Sequence, residues 1–184
     1  MMLRSSEENQ NSTFMRYFEK EPKVQGIDSI IIDAPISKLW TLIQDSKAME
    51  SWGPPVTKIE VELLPEQTVE GVGSKRKVFA KFSEKRQGWY NEVRTEETEN
   101  KSVTFRINED SFGMGKMLSD VGAKMELLEI NKNKTEFIFT FFHRPINILG
   151  WFMNPMIRMD QKKNRLKALR SIKGYVENGK AIKN

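Results

Sequence analysis

The sequence predicts an α+β fold in which a curved antiparallel sheet of about seven strands wraps around a long C-terminal helix. Two observations predict this fold. From residue 56 onward the chain alternates β-branched and aromatic runs with short polar turns, a pattern typical of an antiparallel meander. The last of these runs, residues 137–143, ends at Pro145 and is followed by a helical segment that would be roughly 35 Å long at about 1.5 Å per residue. A helix of that length needs a broad surface to pack against, and the preceding strands supply it.

The first strand and two short helices precede the meander. Residues 27–32 are mostly isoleucine and predict a strand, after which Pro35 opens a helix. Apolar residues in that helix recur at i, i+3, i+4 and i+7, so one face is expected to be buried. These residues are Ile36, Leu39, Trp40 and Ile43. A second short helix through Met49 brings Trp52 to the double proline at residues 54 and 55.

Six further strands make up the predicted meander. Each is bounded by glycine, asparagine or charged turn residues, and a longer loop through Gly71 and Gly73 separates the first two. Their expected ranges are 56–64, 75–82, 89–95, 103–107, 117–127 and 137–143.

The final helix is predicted to run over residues 155–178. Asn154 can cap it, Pro155 suits its first position, and Asn178 with Gly179 supplies the end. Its apolar residues point in two directions, so we expect its Met-rich first half and its second half to serve different surfaces. The first set is Met156 and Met159, and the second is Leu166, Leu169, Ile172 and Val176.

Length and composition predict one globular domain. The chain has 184 residues, of which 38% are hydrophobic and 30% are charged. We expect a polar tail over residues 1–25, with a short helix around Phe14, Tyr17 and Phe18, then the domain at 26–178 and a tail at 179–184. The absence of cysteine excludes disulfides and thiolate chemistry, and no apolar signal segment is visible, so a cytoplasmic protein is expected.

Positive charge is concentrated on the final helix. The net charge is +5, and residues 158–173 contain only one acid, Asp160. Such a helix can contact an anionic membrane, or it can simply present a solvated face. Nucleic-acid binding is not expected, because no exposed aromatics interleave with the cations and no nucleic-acid module is recognisable. The cations are Arg158, Lys162, Lys163, Arg165, Lys167, Arg170 and Lys173.

Five short motifs occur in a characteristic order within residues 26–178. They are Ile30-Ile31-Ile32-Asp33-Ala34-Pro35-Ile36-Ser37-Lys38-Leu39-Trp40, Trp52-Gly53-Pro54, Gly71-Val72-Gly73-Ser74-Lys75-Arg76, Leu166-Lys167-Ala168-Leu169-Arg170 and Lys173-Gly174-Tyr175-Val176-Glu177. In this order the chain resembles the START-like, helix-grip or SRPBCC superfamily, and in particular its polyketide cyclase/dehydrase and lipid-transport branch. The resemblance implies a helix-grip fold whose sheet and helix enclose a cavity. It implies no single function, because the superfamily includes lipid carriers, hormone receptors, cyclases and chaperone activators.

Apolar side chains on the expected inner surfaces are the candidate ligand-binding residues. Ordinary core packing is the alternative for each of them, although the ten methionines suit a wall that adapts to varied apolar ligands. The candidates are Trp52, Val78, Phe82, Trp89, Phe105, Met117, Val121, Phe139, Phe141, His143, Phe152, Met156 and Met159.

Catalytic chemistry has one candidate residue, His143. It is the only histidine and, by alternation, faces the same side as Phe139 and Phe141, near the expected cavity mouth. A hydrogen-bonded structural role is the alternative. We expect no metal site and no cofactor, because no ligand types stand at ligand spacing and Gly71-Val72-Gly73 is too short for a phosphate loop.

Three functions follow as hypotheses. The first is binding, or transport, of a hydrophobic or amphipathic small molecule such as a lipid, with a transient contact to anionic membranes. The second is a cyclase/dehydratase-type enzyme in which His143, with Arg144 or Arg165, moves protons. The third is a protein-interaction module that uses the basic helix. The ligand and the oligomeric state do not follow from the residues.

Overall fold

The computed structural model describes residues 21–181, which contain seven strands and three α-helices. The short helix expected near Phe14, Tyr17 and Phe18 lies outside the described residues. The strands are β1 Val24–Ile32, β2 Val56–Glu62, β3 Lys75–Ser83, β4 Arg86–Thr98, β5 Ser102–Asp110, β6 Leu118–Asn131 and β7 Lys134–Pro145. The helices are α1 Ile36–Gln44, α2 Met49–Trp52 and α3 Ile148–Asn178, with 3₁₀ turns at Ser46–Ala48 and Met114–Lys116.

The strands form one antiparallel sheet in the order β1-β7-β6-β5-β4-β3-β2. This confirms the predicted α+β helix-grip architecture, with the first strand closing the meander against the last. Five strands extend two to four residues beyond a predicted end, because ladder hydrogen bonds continue into polar residues that flank the apolar runs, whereas β2 ends two residues earlier than predicted. The two short helices after β1 are also as predicted.

The predicted start of the final helix was wrong by two turns. The helix begins at Ile148, and its N-cap is Asn147, whose Oδ1 accepts a 2.8 Å hydrogen bond from the Gly150 amide. The Asn147 amide nitrogen also donates to the Lys116 carbonyl at 2.8 Å. Pro155 therefore lies inside the helix, where it removes one backbone donor without ending the helix.

The second half of α3 seals the core. Leu169, Ile172 and Val176 pack into one cluster with side chains of β1, α1, α2, β5, β6 and β7. The helix ends as predicted at Asn178, with Gly179 in the left-handed conformation at φ 67°. Its packing on β1 and β7 places the helix along one side of the curved sheet.

The position of the N-cap gives a stability test. Asn147→Ala removes the cap and the bond to Lys116, so we expect the free energy of unfolding to fall by about 0.5–2 kcal/mol in chemical denaturation. Lys163→Ala, at an exposed position in the same helix, should change it by less than about 0.5 kcal/mol. Equal effects of the two substitutions would contradict the cap at Asn147.

Candidate functional site

The first half of α3 presents a face of polar and apolar residues to the sheet and an apolar face to solvent. Gly150 is buried against the Met117 carbonyl, and Met153, Asn154 and Ile157 are half-buried on the same side. The opposite side carries Phe152, Met156 and Met159. These three were predicted to line an internal cavity, but they are 83%, 61% and 61% exposed, so that placement was wrong.

The outward side chains form a continuous stripe along the helix. Residues 148, 149, 152, 156 and 159 fall within about 100° of arc at 100° per residue, and we call them the apolar stripe. Ile148 is 89% exposed and Leu149 is 57% exposed. Arg158 and Lys162 lie beside the stripe, and Lys163 follows it along the helix. All three cations are exposed, and none forms an ion pair with a described residue.

Beside the stripe, one flank of α3 and strand β1 enclose an open groove of about 490 Å³. We call it the β1–α3 groove. On the helix, its lining residues recur every three or four positions, so they share one flank. They are Gln25, Gly26, Ile27 and Asp28 from β1, and Asn154, Pro155, Arg158, Met159, Lys162 and Arg165 from α3.

Arg165 joins the two walls of this groove. Its side chain is 4% exposed, and its Nε donates to Asp28 Oδ2 at 2.7 Å. The guanidinium lies so close to the Gly26 backbone that a Cβ at this position would collide with it. A glycine in β1 therefore allows the arginine to reach the strand.

His143 lies fully buried and not at a solvent-exposed mouth. Its Nε2 is 2.6 Å from Asn154 Oδ1, which can only accept, so the neutral ring carries its proton on Nε2. Burial lowers the pKa of His143 most. The bond to Asn154 raises this pKa in part, and the cations Arg158 and Lys23 lower it further. Its role in the described structure is therefore that of a neutral hydrogen-bonding side chain.

A buried ion network covers the helix-facing side of β3 and β4, where an apolar wall was expected. Arg76 Nε donates to Glu92 at 2.6 Å, and Arg94 donates to Glu70 and Glu97, each at 2.9 Å. The guanidinium carbon of Arg76 lies 3.5 Å from the ring centroid of Phe105. Phe105, a predicted wall residue, is thus stacked beneath charged groups.

Glu70 extends this network to the short helices. Its carboxylate accepts from the Ser46 amide at 3.0 Å and from the Ser46 hydroxyl, so it ties the loop before β3 to the turn after α1. Arg94 also donates to the Gln44 carbonyl at 2.6 Å. Burial, followed by the nearby Glu92 carboxylate, raises the pKa of Tyr90 and keeps its phenol neutral.

The remaining candidates occupy several environments. Trp52 is in the main core, Val78 is in a smaller cluster with Val56 and Ile59, and Phe139 packs half-buried against the core. Phe141 is half-buried beside His143, with ring centroids 6.0 Å apart. Phe82 packs edge-to-face on Phe112, Met117 lies under Gly150, and Val121 lines a second groove of about 320 Å³ between β5 and β6.

Trp89 lies on the face of the sheet away from α3. It pairs across the ladder with Phe79, and the Lys77 ammonium lies 4.2 Å from its ring centroid. Adjacent strand residues point to opposite faces, and Val78 faces the helices. The prediction that Trp89 and Val78 share a cavity wall was therefore wrong.

Residues 21–181 contain neither a membrane-spanning helix nor a cluster of metal ligands. Neither α3 nor a shorter helix there has the uninterrupted apolar stretch that crossing a bilayer requires. The same residues contain no group of three or more histidine or acidic side chains arranged to hold a metal ion.

Comparison with known proteins gives a family match over most of the chain. Residues 25–177 match the model of the family described as polyketide cyclase / dehydrase and lipid transport. None of the curated proteins compared with the chain is significantly similar to it.

Solved structures share the fold at low sequence identity. A START superfamily protein from Mycobacterium smegmatis is 9% identical with a TM-score of 0.64, and the match covers 82% of this chain and 97% of that one. The Zhui aromatase/cyclase from Streptomyces sp. R1128 is 13% identical with a TM-score of 0.64, covering 85% and 98%. The di-domain aromatase/cyclase BexL of the BE-7585A biosynthetic pathway is 14% identical with a TM-score of 0.66, covering 83% and 46%.

The buried ion network predicts a strong response to loss of one partner. Glu92→Leu leaves the Arg76 guanidinium buried without its carboxylate, so the free energy of unfolding should fall by about 3–5 kcal/mol in chemical denaturation. Adding Arg76→Met should recover most of this loss. Glu62→Gln, in the exposed pair with Lys75, should cost no more than about 1 kcal/mol. A Glu92 variant as mild as that control would contradict the network.

The buried His143 predicts how stability depends on pH. The unfolded histidine is protonated below a pKa of about 6.5, whereas the folded one resists protonation, so the unfolded state binds more protons there. The free energy of unfolding should therefore be highest above that pH and fall as the pH drops below it. His143→Gln should flatten this part of the profile, as measured by urea denaturation from pH 7.5 to 5. An unchanged slope in the variant would contradict this placement.

Proposed function

Because the chain belongs to the polyketide cyclase / dehydrase and lipid transport family, we propose that it binds a hydrophobic or amphipathic small molecule of lipid type and exchanges it at an anionic membrane surface. The observation that carries this proposal is the apolar stripe of α3, with its flanking cations. Docking is assigned to the outer face of α3, and ligand binding to the space between α3 and the sheet.

The apolar stripe supports docking because its side chains are exposed and do not pack into the core formed by the described residues. Ile148 and Phe152 are more than four-fifths exposed, and Trp151 beside them is 74% exposed. Contiguous apolar patches of this kind on soluble proteins mark contact surfaces. A helix with one apolar face and cations beside it suits the boundary between lipid headgroups and acyl chains, where tryptophan is also favoured.

The charge pattern favours a membrane over a neutral apolar partner. Arg158, Lys162 and Lys163 lie within two turns of the stripe and would approach the headgroups when it inserts. Each cation near an anionic bilayer contributes on the order of 1 kcal/mol, so the three together add a strong dependence on anionic lipid and on salt.

The helix-facing surface of the sheet supports small-molecule binding next to the docking face. Phe139 and Phe141 of β7 are half-buried, as are Met153 and Ile157 on the facing side of α3. We assign them to the apolar part of the ligand. Arg86 and Asp160, 2.7 Å apart and both partly exposed, link the β3–β4 hairpin to α3. That exposed ion pair is worth at most about 1 kcal/mol, so the helix can part from the hairpin at little cost.

Vesicle co-sedimentation tests docking. We expect binding to vesicles of phosphatidylcholine with 30 mol% phosphatidic acid, loss of binding as salt rises, and little binding to phosphatidylcholine alone. Trp151→Ala with Phe152→Ala should abolish binding because it removes the two largest exposed side chains of this segment. Leu128→Ala with Ile130→Ala, which removes exposed apolar groups of the distant β6, is the matched control and should bind normally.

The same preparation tests ligand binding. After incubation with the vesicles, the protein is separated and examined by native mass spectrometry, in which a carrier should retain lipid. Absence of bound lipid would refute the carrier role, and absence of binding to anionic vesicles at low salt would refute docking.

A further inference from the structure

The β1–α3 groove contains an arginine whose hydrogen-bonding capacity is only partly used. Arg165 is 4% exposed and lines the groove, and its Nε is bound to Asp28. Its Nη1 is buried and has no hydrogen-bond partner among the described residues. Leaving a charged donor buried and unpaired is costly, so such a group calls for a partner.

The rest of the groove lining is positively charged, as an anionic partner of Arg165 would require. Arg158 and Lys162 stand seven and three residues before Arg165 on the same flank, which brings the three cations to one side of the groove. Among the described residues, Asp28 is the only acid in the lining. Three cations against one carboxylate leave an excess of positive charge where the buried guanidinium lies.

We propose that the β1–α3 groove binds the anionic head group, phosphate or carboxylate, of an amphipathic ligand, with Arg165 as its buried anchor and Arg158 and Lys162 as its rim. A guanidinium offers paired donors to such oxyanions, and a low local dielectric strengthens the contact. Ile27, Pro155 and Met159 give the groove apolar walls beside the cations. The ligand therefore carries both an oxyanion and a hydrocarbon portion. As the head-group site of the proposed carrier, the assignment rests on the proposed function.

The position of Met159 connects the groove to the membrane-facing surface. This residue lines the groove and also belongs to the apolar stripe, where it is 61% exposed. A lipid whose head group occupies the groove thus lies next to the surface proposed to contact the membrane. The Asp28 carboxylate would compete with the ligand for Arg165, because it already accepts a hydrogen bond from Nε of the same guanidinium.

NMR titration of the full chain with hexyl phosphate, which is soluble without membranes, tests the site. We expect shifts in the amides of residues 25–28 and 154–165, and much weaker shifts with hexanol, which has the same hydrocarbon chain and no charge. Arg158→Ala with Lys162→Ala should weaken hexyl phosphate binding about tenfold, equivalent to about 1.4 kcal/mol. Lys132→Ala with Arg170→Ala removes the same charge from exposed positions outside the groove and should change affinity less than about twofold.

Asp28→Asn separates a ligand site from a purely structural ion pair. Removing the competing carboxylate should tighten hexyl phosphate binding severalfold, because Arg165 gains a free donor and the groove loses its one acid. A structural pair alone predicts lower stability with no gain in affinity. If Asp28→Asn does not fold, the rim variant and its matched control still decide the question.

A parallel titration with inorganic phosphate distinguishes a site for a soluble anion from a site for a lipid head group. Equal affinity for inorganic phosphate and hexyl phosphate would support the anion site but assign it to a soluble anion, whereas tighter hexyl phosphate binding supports a lipid head group. Equal shifts with hexanol and hexyl phosphate, or equal losses in the rim and control variants, would overturn the site. Trp151→Ala with Phe152→Ala, which removes docking, should leave hexyl phosphate binding intact, so failure of the membrane proposal is distinguishable from failure of the groove.

Discussion

Helix α3 is fixed at its two ends and free along its outer middle, and the arrangement of every candidate surface follows from this constraint. At the start, Asn147 bonds the Lys116 carbonyl while Gly150 lies against Met117. At the other end, Leu169 and Ile172 are buried in the core. Between these anchors the helix spans the sheet edge, so one flank borders the β1–α3 groove and the adjoining outer face presents the apolar stripe. A shorter helix starting at Pro155 would have lost the first anchor and most of the stripe.

Two buried arginines, Arg94 and Arg165, have different hydrogen-bonding environments and therefore different roles. Arg94 is fully buried, and its Nη atoms meet two carboxylates and a backbone carbonyl, so it rigidifies the sheet and the loops above it. Arg165 is almost as buried but has one carboxylate, from Asp28, and an unpartnered Nη1. Desolvation of a guanidinium costs several kcal/mol, so the number of its hydrogen-bond partners decides whether burial of the group is compensated. Arg94 pairs both Nη atoms and leaves only its Nε without a hydrogen-bond partner among the described residues, so we assign it to the scaffold. Arg165 leaves Nη1 unpaired beside an open groove, which is why we propose a binding role for it.

The sheet and the helix end were predictable because their signals are local: alternation, turn residues and the glycine after Asn178 each act within a few residues. The helix start was not, because Asn147 and Asn154 are equally good caps in isolation. Periodicity separated two arcs of α3 but could not say which arc faces the sheet, so Phe152 was assigned to the wrong side. The pair of Asp28 and Arg165 joins residues 137 positions apart, a distance that no sequence pattern spans.

The close approach of Arg165 to Gly26 predicts a pattern of residues that can be looked for in related sequences. Because the missing side chain makes room for the Arg165 guanidinium, any side chain at position 26 would displace that group. We therefore expect related sequences to retain glycine at position 26 wherever they retain the arginine, and to tolerate other residues there where the arginine is lost. An inherited pairing of this kind would mark a lineage within a superfamily whose members share a fold and very little sequence.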